Sequence, residues 1–181
     1  MKQLTIPSYT EKKIKKGQFV LEKQDFPSLP FHDQAVELAN TKGQFIGIGY
    51  LSEQNKGIGW FISHKKVTLD VSFFCQLFQC AKEKRQVYQQ SEETTAYRLF
   101  NQEGDGFGGF TIDLYQDYAV FSWYNLFVYE MKETVVQAFQ HVFPEVAGAY
   151  EKIRFKGLDV ESAHLYGQEA SAFFTILENG V

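Results

Sequence analysis

The chain has 181 residues, 44% of them hydrophobic and 17% aromatic, with 18 Phe and 10 Tyr. That is enough for one large or two small folded domains, and it excludes a disordered or low-complexity polymer. Residues 1–66 carry ten Lys and no Arg against six acids, a balance of +4, whereas residues 67–181 carry eight basic groups against sixteen acids, a balance of −8. A basic first half and an acidic second half point either to an N-terminal module that faces nucleic acid or to two ordinary solvated surfaces of different charge. The opening MKQLTIPSYTEKKIKKGQ has no apolar core behind its charges, and no apolar run approaches the roughly 20 residues of a membrane span, so a cytoplasmic location is expected.

In chain order, LTIP (Leu4 to Pro7) reads as a short strand and SYTEKKIKKG as one or two helical turns, capped by Ser8 or Thr10 and ended by Gly17. QFVLEKQDFPSLP is extended and turn-like, closed by Pro27 and Pro30. AVELAN, QFIGIGYLS and IGWFIS are strands separated by the turns TKG and EQNKG, a spacing that predicts a small barrel or sandwich. Gly47, Gly49 and Gly59 lie inside these strands, where glycine marks a bulge, a bend or a close backbone approach.

From Asp70, an expected N-cap, the apolar period turns helical: Phe73, Phe74, Leu77, Phe78 and Ala81 recur through VSFFCQLFQCAKEKRQVY, with Lys82, Lys84 and Arg85 in its later turns. Three strands follow, AYRLFN, FTIDLY and YAVFSWY. A second amphipathic helix, with Val128, Met131, Val135, Ala138, Phe139 and Val142 on one face, is stopped by Pro144, and GAYEKIRF is again a strand. The last stretch, QEASAFFTILENGV, reads as a strand broken off at Asn179 and Gly180. An Asn-Gly pair predicts a hairpin whose second strand would lie beyond Val181, so the chain reads as the N-terminal portion of something longer.

The most suggestive motif is NQEGDGFGGFTIDLY, where Gly104, Gly106 and Gly109 stand at the G-x-G-x-x-G spacing of a dinucleotide site. Such a fingerprint must turn a strand into a helix whose N-terminus faces the pyrophosphate. Here Phe110, Ile112 and Leu114 alternate against Thr111, Asp113 and Tyr115, which is a strand, and Glu103 and Asp105 would repel a phosphate. The glycines are therefore expected to join two antiparallel strands. The carboxylates of Glu103, Asp105 and Asp113 carry no sign of a catalytic pair. His32, His64, His141 and His164 are scattered, and Cys75 and Cys80, on different helix faces, are expected to be reduced core thiols. No catalytic, cofactor or metal site is expected in this chain. The candidate RNA-binding residues are Lys12, Lys13, Lys15, Lys16, Lys65 and Lys66, with Lys42 and Lys56 adding to the basic surface, since lysines hold phosphates as point charges.

The run TTAYRLFNQEGDGFGGFTIDLYQDY resembles a segment of the S-adenosylmethionine-dependent ribosomal RNA methyltransferases of the 5-methylcytosine-forming large-subunit type and their relatives. Arg98, Leu99, Glu103, Asp105, Gly106, Gly109, Asp113 and Tyr115 carry the match. The chain departs from the family's frequent Leu-Pro-Gly at Phe107, Gly108 and Gly109. KKIKKGQFVLEKQDF and GQFIGIGYLSEQNKGIGWFIS look like the family's N-terminal PUA domain, the helix from Val71 to Tyr88 looks like the opening of its central domain, and FFTILENGV resembles the entry to its catalytic domain.

The resemblance implies an α+β chain: a small PUA-like RNA-binding β-barrel over residues 1–66, then an α+β linker domain over 67–181, with a helix followed by strand-strand-strand-helix-strand in an antiparallel-rich sheet. It implies that the S-adenosylmethionine site and the catalytic cysteines belong to an absent methyltransferase domain, and that the partner is RNA, ribosomal by analogy. The competing expectation is a non-enzymatic interaction module whose aromatic-rich second half forms a homodimer or docking surface.

Overall fold

The computed structural model describes every residue except Pro27, Phe31, Lys56, Val160, Glu178, Asn179 and Val181. The expected turn at Pro27, the basic Lys56 and the Asn half of the Asn-Gly pair therefore lie outside the described residues. The first part of the chain builds one sheet from β1 (Lys2–Thr5), β2 (Val20–Glu22), β3 (Gln34–Ala39), β4 (Phe45–Gln54) and β5 (Gly57–Ser63), in the order β1-β3-β4-β5-β2. The β1–β3 ladder is parallel and the others are antiparallel.

A barrel is expected from the sequence; the ladders make a sheet with β1 and β2 as its end strands. The helix α1 (Ser8–Lys15) carries the chain from one end strand to the other, and its Ile14 is buried in the sheet's own core with Leu4, Ile6, Leu21, Val36, Leu38 and Phe61. Pro7 occupies the N-cap position, so neither Ser8 nor Thr10 caps this helix: Thr10 lies inside it, buried, with its hydroxyl on Asp25. Gly17 ends it as expected, with a φ of 88° and the Gln18 N–H bonded back to the Lys13 carbonyl. The strand glycines mark close approaches: a Cβ on Gly49 would lie 2.6 Å from the Trp60 carbonyl oxygen, and one on Gly59 2.2 Å from that of Tyr50.

The second sheet contains β6 (Ala96–Asn101), β7 (Phe110–Tyr115), β8 (Tyr118–Trp123), β9 (Gly148–Ile153) and β10 (Ser162–Gly167), in the order β10-β9-β8-β7-β6. It is antiparallel except between β8 and β9, which pair in parallel because α4 (Leu126–Glu130) and α5 (Lys132–Val142) form the crossover between them. The predicted second helix is thus interrupted at Met131. The predicted first one divides into α2 (Val71–Lys84) and α3 (Gln86–Gln89). Asp70 caps α2, accepting from the Phe73 N–H at 2.9 Å.

α2 packs on α5, and their inner faces close an aromatic core. Phe100 and Phe110 stack at 4.6 Å, and Phe78 meets both Phe110 and Phe139 edge-on. The lysines and arginine at the end of α2 reach tertiary partners: Lys82 bonds the Val142 carbonyl and Glu145, while Lys84 and Arg85 bond Asp105. Cys75 is half-buried and Cys80 is exposed, so only one of the two expected core thiols faces inward.

The C-terminal prediction needs correction. The strand stands earlier, at Ser162–Gly167, and described residues 168–177 form no strand. Leu177 touches Thr95 through one backbone bond and one bond to the threonine hydroxyl, a side-chain acceptor that interrupts a ladder. No helix among the described residues is long and apolar enough to cross a membrane. Because Phe110 is wholly buried between Phe100 and Trp123, Phe110→Ala leaves a cavity at the centre of the aromatic core. It is expected to cost about 3–5 kcal/mol, read as a lowered urea midpoint at unchanged slope.

Candidate nucleic-acid interface

Successive lysines on α1 project in different directions, and the helix divides them by role. Ile14 and Thr10 define its buried side, which brings Lys13 over η1, a 3₁₀ turn at Lys23–Asp25. Lys13 bonds Glu22 at 2.6 Å and the buried Asp25 at 3.0 Å. The hydrogen bonds that Lys13 donates to these two carboxylates raise its pKa, and the same ammonium lowers that of Glu22. Lys15 lies 2.6 Å from Glu11, one turn back. Lys12 and Lys16 are exposed and form no ion pair among the described residues.

The other predicted pair stands just after β5. Lys65 is exposed, while Lys66 reaches across to Glu37 at 3.0 Å and lies over the Phe45 ring. Of the six candidate lysines, Lys12, Lys16 and Lys65 are thus free to meet a phosphate at once. Lys15 and Lys66 hold exposed, exchangeable pairs, and Lys13 is committed to the fold.

The glycine-rich segment is a bend between antiparallel strands, as its alternation predicts: β6 runs into a 3₁₀ turn at Gln102–Asp105 and emerges as β7. Asp105 is buried and receives a two-pronged bond from Arg85 at 2.9 and 2.6 Å, a Lys84 bond at 3.2 Å and the Asn101 N–H at 2.7 Å. Burial works against its charge, but these donors outweigh it and hold the carboxyl below the ordinary range. Arg98 and Asp113 are direct cross-strand partners joined at 2.8 Å.

The bend faces the first sheet. Tyr50 of β4, wholly buried, donates its hydroxyl to the Gly108 carbonyl at 2.9 Å and accepts from the Asn125 amide at 3.1 Å. Asn125 also donates to Gln54 and caps α4 through the Val128 N–H, while Gln54 donates to Gln102, which accepts in turn from Gly109. Ser52, on the same strand, accepts from the Phe127 N–H. The Tyr50 ring stacks with Trp60, Phe107 and Phe127 at 5.4, 5.5 and 4.6 Å. Burial pushes its hydroxyl pKa well above the usual phenol range.

Two glycines are required by this approach. A Cβ on Gly108 would meet the Trp60 ring at 2.2 Å, and one on Gly109, at φ 102°, would meet the Tyr50 hydroxyl at 2.5 Å. The loop's backbone is turned into the protein, and the Gly106, Phe107 and Gly109 N–H groups are bonded within the bend. Among the described residues, no group of three or more His, Cys, Asp or Glu side chains could hold a metal ion.

Comparison with known proteins adds a family. Residues 4–64 match the PUA-like domain family. The whole chain is 34% identical to a Bacillus subtilis protein named "Putative ribosomal RNA large subunit methyltransferase YwbD", over 48% of that protein. Over 84% of its length it is 33% identical to ribosomal RNA large subunit methyltransferase I of Photobacterium profundum, covering 40% of it. A Streptococcus mutans structure described as "a putative sam-dependent methyltransferase" superposes over the whole chain with a TM-score of 0.96 at 53% identity, covering 47% of the larger protein. A second structure, described as "a putative methyltransferase complexed with SAH", superposes with a TM-score of 0.95.

Residues 4–64 carry a PUA-like domain, and the chain as a whole is similar to these methyltransferases. It spans about half the length of the relatives it matches. The family signature seen in the sequence is structural in this chain: Asp105 anchors α2 through Arg85, Arg98 and Asp113 pair across β6 and β7, Leu99 enters the core, and Gly106 and Gly109 take positive φ. What the sequence did not reveal is the set Tyr50, Gln54 and Asn125, because their contacts join residues 48 to 75 positions apart.

Tyr50→Phe leaves the Asn125 amide and the Gly108 carbonyl short of a partner and is expected to cost about 1–3 kcal/mol, with a coupling energy to Asn125→Ala in a double-mutant thermal-melt cycle. The Asp105 contribution has a defined pH sense. Its folded pKa is depressed, so the stabilisation is complete above the unfolded value near 3.9 and is lost as pH falls through the folded value. Asp105→Asn should lower stability at neutral pH and flatten the fall below about pH 4, measured by denaturant midpoints along a pH series.

Proposed function

We propose that this chain is the RNA-gripping part of an S-adenosylmethionine-dependent ribosomal RNA methyltransferase. In this reading residues 1–66 are a PUA-like RNA-binding module, and residues 67–181 are a linker domain that orients it towards the catalytic part of the enzyme. The observation that carries the proposal is the PUA-like match over residues 4–64 inside a whole-chain similarity to a protein named as a large-subunit methyltransferase. The grip would come from phosphate contacts by the exposed lysines of α1 and of the segment after β5, which position an RNA without reading its bases. Holding the target in register turns an encounter with one base into an oriented reaction.

S-adenosylmethionine would supply the methyl group. The one glycine-rich loop in the chain does not fit it, since Gly106, Gly108 and Gly109 abut Leu77, Trp60, Tyr50 and Asn125 rather than open space. The cofactor is therefore assigned to the part of the relatives' length that this chain does not span. What these residues contribute to the reaction is placement: α1 and the segment after β5 offer cations, and the Tyr50 contact fixes the first sheet on the second.

Charge removal separates grip from fold. Lys12→Gln with Lys16→Gln should weaken RNA binding and lower the log–log salt slope by about 0.7 per lost contact to a single strand, with thermal stability unchanged; unchanged affinity and slope would refute the gripping surface. Lys13→Gln should instead destabilise the protein, through Asp25. Calorimetric titration of this 181-residue chain with S-adenosylmethionine should show no saturable heat; saturable binding would reassign the cofactor site.

A further inference from the structure

In residues 67–181 acids outnumber bases two to one, sixteen to eight, so each cation there has ample choice of partner. Five take one: Lys82 pairs with Glu145, Lys84 and Arg85 with Asp105, Arg98 with Asp113, and Lys132 with Glu151. The remaining three, Lys152, Arg154 and Lys156, form no ion pair among the described residues and are all exposed. They occupy every second position along the end of β9 and the loop that follows it.

The surrounding structure holds this segment in place. Glu151, buried on the opposite side of β9, is fixed by Lys132 at 3.1 Å and by the Trp123 indole N–H at 3.0 Å, so the nearest carboxylate on the strand is turned away from the three cations. The Arg154 N–H continues the β8 ladder to the Trp123 carbonyl, the Ile153 N–H bonds the Glu161 carbonyl, and the Phe155 ring meets Tyr129 edge-on at 5.8 Å. The three cations line a cavity of about 600 Å³ between the arms of the β9–β10 hairpin, with Glu161 and Ser162 on its far wall. Glu161 is its one acid and pairs with none of them.

The geometry points to a second phosphate-binding surface on this hairpin, which takes the backbone of an RNA strand through Lys152, Arg154 and Lys156. It rests on the proposed RNA grip of the family. Leaving three cations unpaired on an otherwise paired, acidic surface concentrates positive potential at one place. Two residues of extended chain span about 6.6–6.8 Å, which spaces Lys152 and Arg154 for successive phosphates of one strand, with Lys156 on the bend that follows. The guanidinium of Arg154 adds a two-pronged phosphate donor between two point charges. The linker domain then shares the RNA with the PUA-like module instead of only spacing it.

The test uses the full chain and a fluorescent RNA stem-loop with single-stranded flanks, followed by anisotropy from about 50 to 200 mM salt. Lys152→Gln, Arg154→Gln and Lys156→Gln combined should lower affinity at least tenfold and reduce the salt slope by about 2, at unchanged thermal midpoint. Lys23→Gln, which removes an exposed cation paired with Glu53, should change neither. A triple variant with wild-type affinity and slope overturns the hairpin surface while leaving the PUA-like grip standing. Failure of the unaltered chain to bind the RNA overturns both. Should the triple variant melt early, the single Arg154→Gln exchange, with an expected slope change of about 0.7, decides in its place.

Discussion

Everything the two sheets can do together depends on one buried side chain, Tyr50. It leaves the first sheet from the middle of β4, yet its ring belongs to the aromatic core of the second, stacked among Trp60, Phe107 and Phe127. A phenol hydroxyl placed there must be satisfied, and it is satisfied from the far side only, by the Gly108 carbonyl and the Asn125 amide. Apolar stacking supplies the attraction, and the two hydrogen bonds set the register. Leu51, its neighbour on β4, packs into the first sheet's own core. The strand is therefore buried on both faces, and its two faces serve different cores.

That constraint explains the glycine-rich segment better than any ligand does. For Tyr50 to reach the Gly108 carbonyl, the backbone of the bend must lie against Trp60, which leaves no room for a side chain at Gly108 or Gly109. The acids have an equally structural explanation. Asp105 collects Arg85 and Lys84 from the end of α2 and the Asn101 N–H from β6, so one carboxylate ties a helix end, a strand end and the bend together. Residues that look like a cofactor loop in the sequence are a joint in the structure.

The elements legible in the sequence are those whose own residues decide them. The apolar period of α2, the capping Asp70, the alternation of β7 and the stop at Gly17 each need only near neighbours, and each stands where expected. The misses are set at long range. Nothing local marks Met131, a good helix former, as the break between α4 and α5. β10 is not legible because an edge strand needs only a few half-buried residues, here Ala163, Leu165 and Tyr166, and so shows weak alternation. Of the candidate site, the positions of the lysines were visible, but the withdrawal of Lys13 was not, because its partners Glu22 and Asp25 lie nine and twelve residues away.

Net charge misleads in the same way, since it counts charges without their partners. The acidic second half invites the view that RNA would avoid it, and the basic first half that all of its lysines are available. Pairing reverses part of each inference. Lys13 is spent inside the first sheet's framework, whereas the second half pairs five of its cations and, among the described residues, leaves three at one hairpin without an ion pair. Since a phosphate within a Debye length responds to unpaired local charge more than to the sum over a domain, the uncompensated cations, and not the balance of +4 against −8, describe where a polyanion can rest. With Tyr50 joining the first sheet to the bend of the second, the cations of α1 and those of the β9–β10 hairpin are carried on two sheets packed through one buried contact.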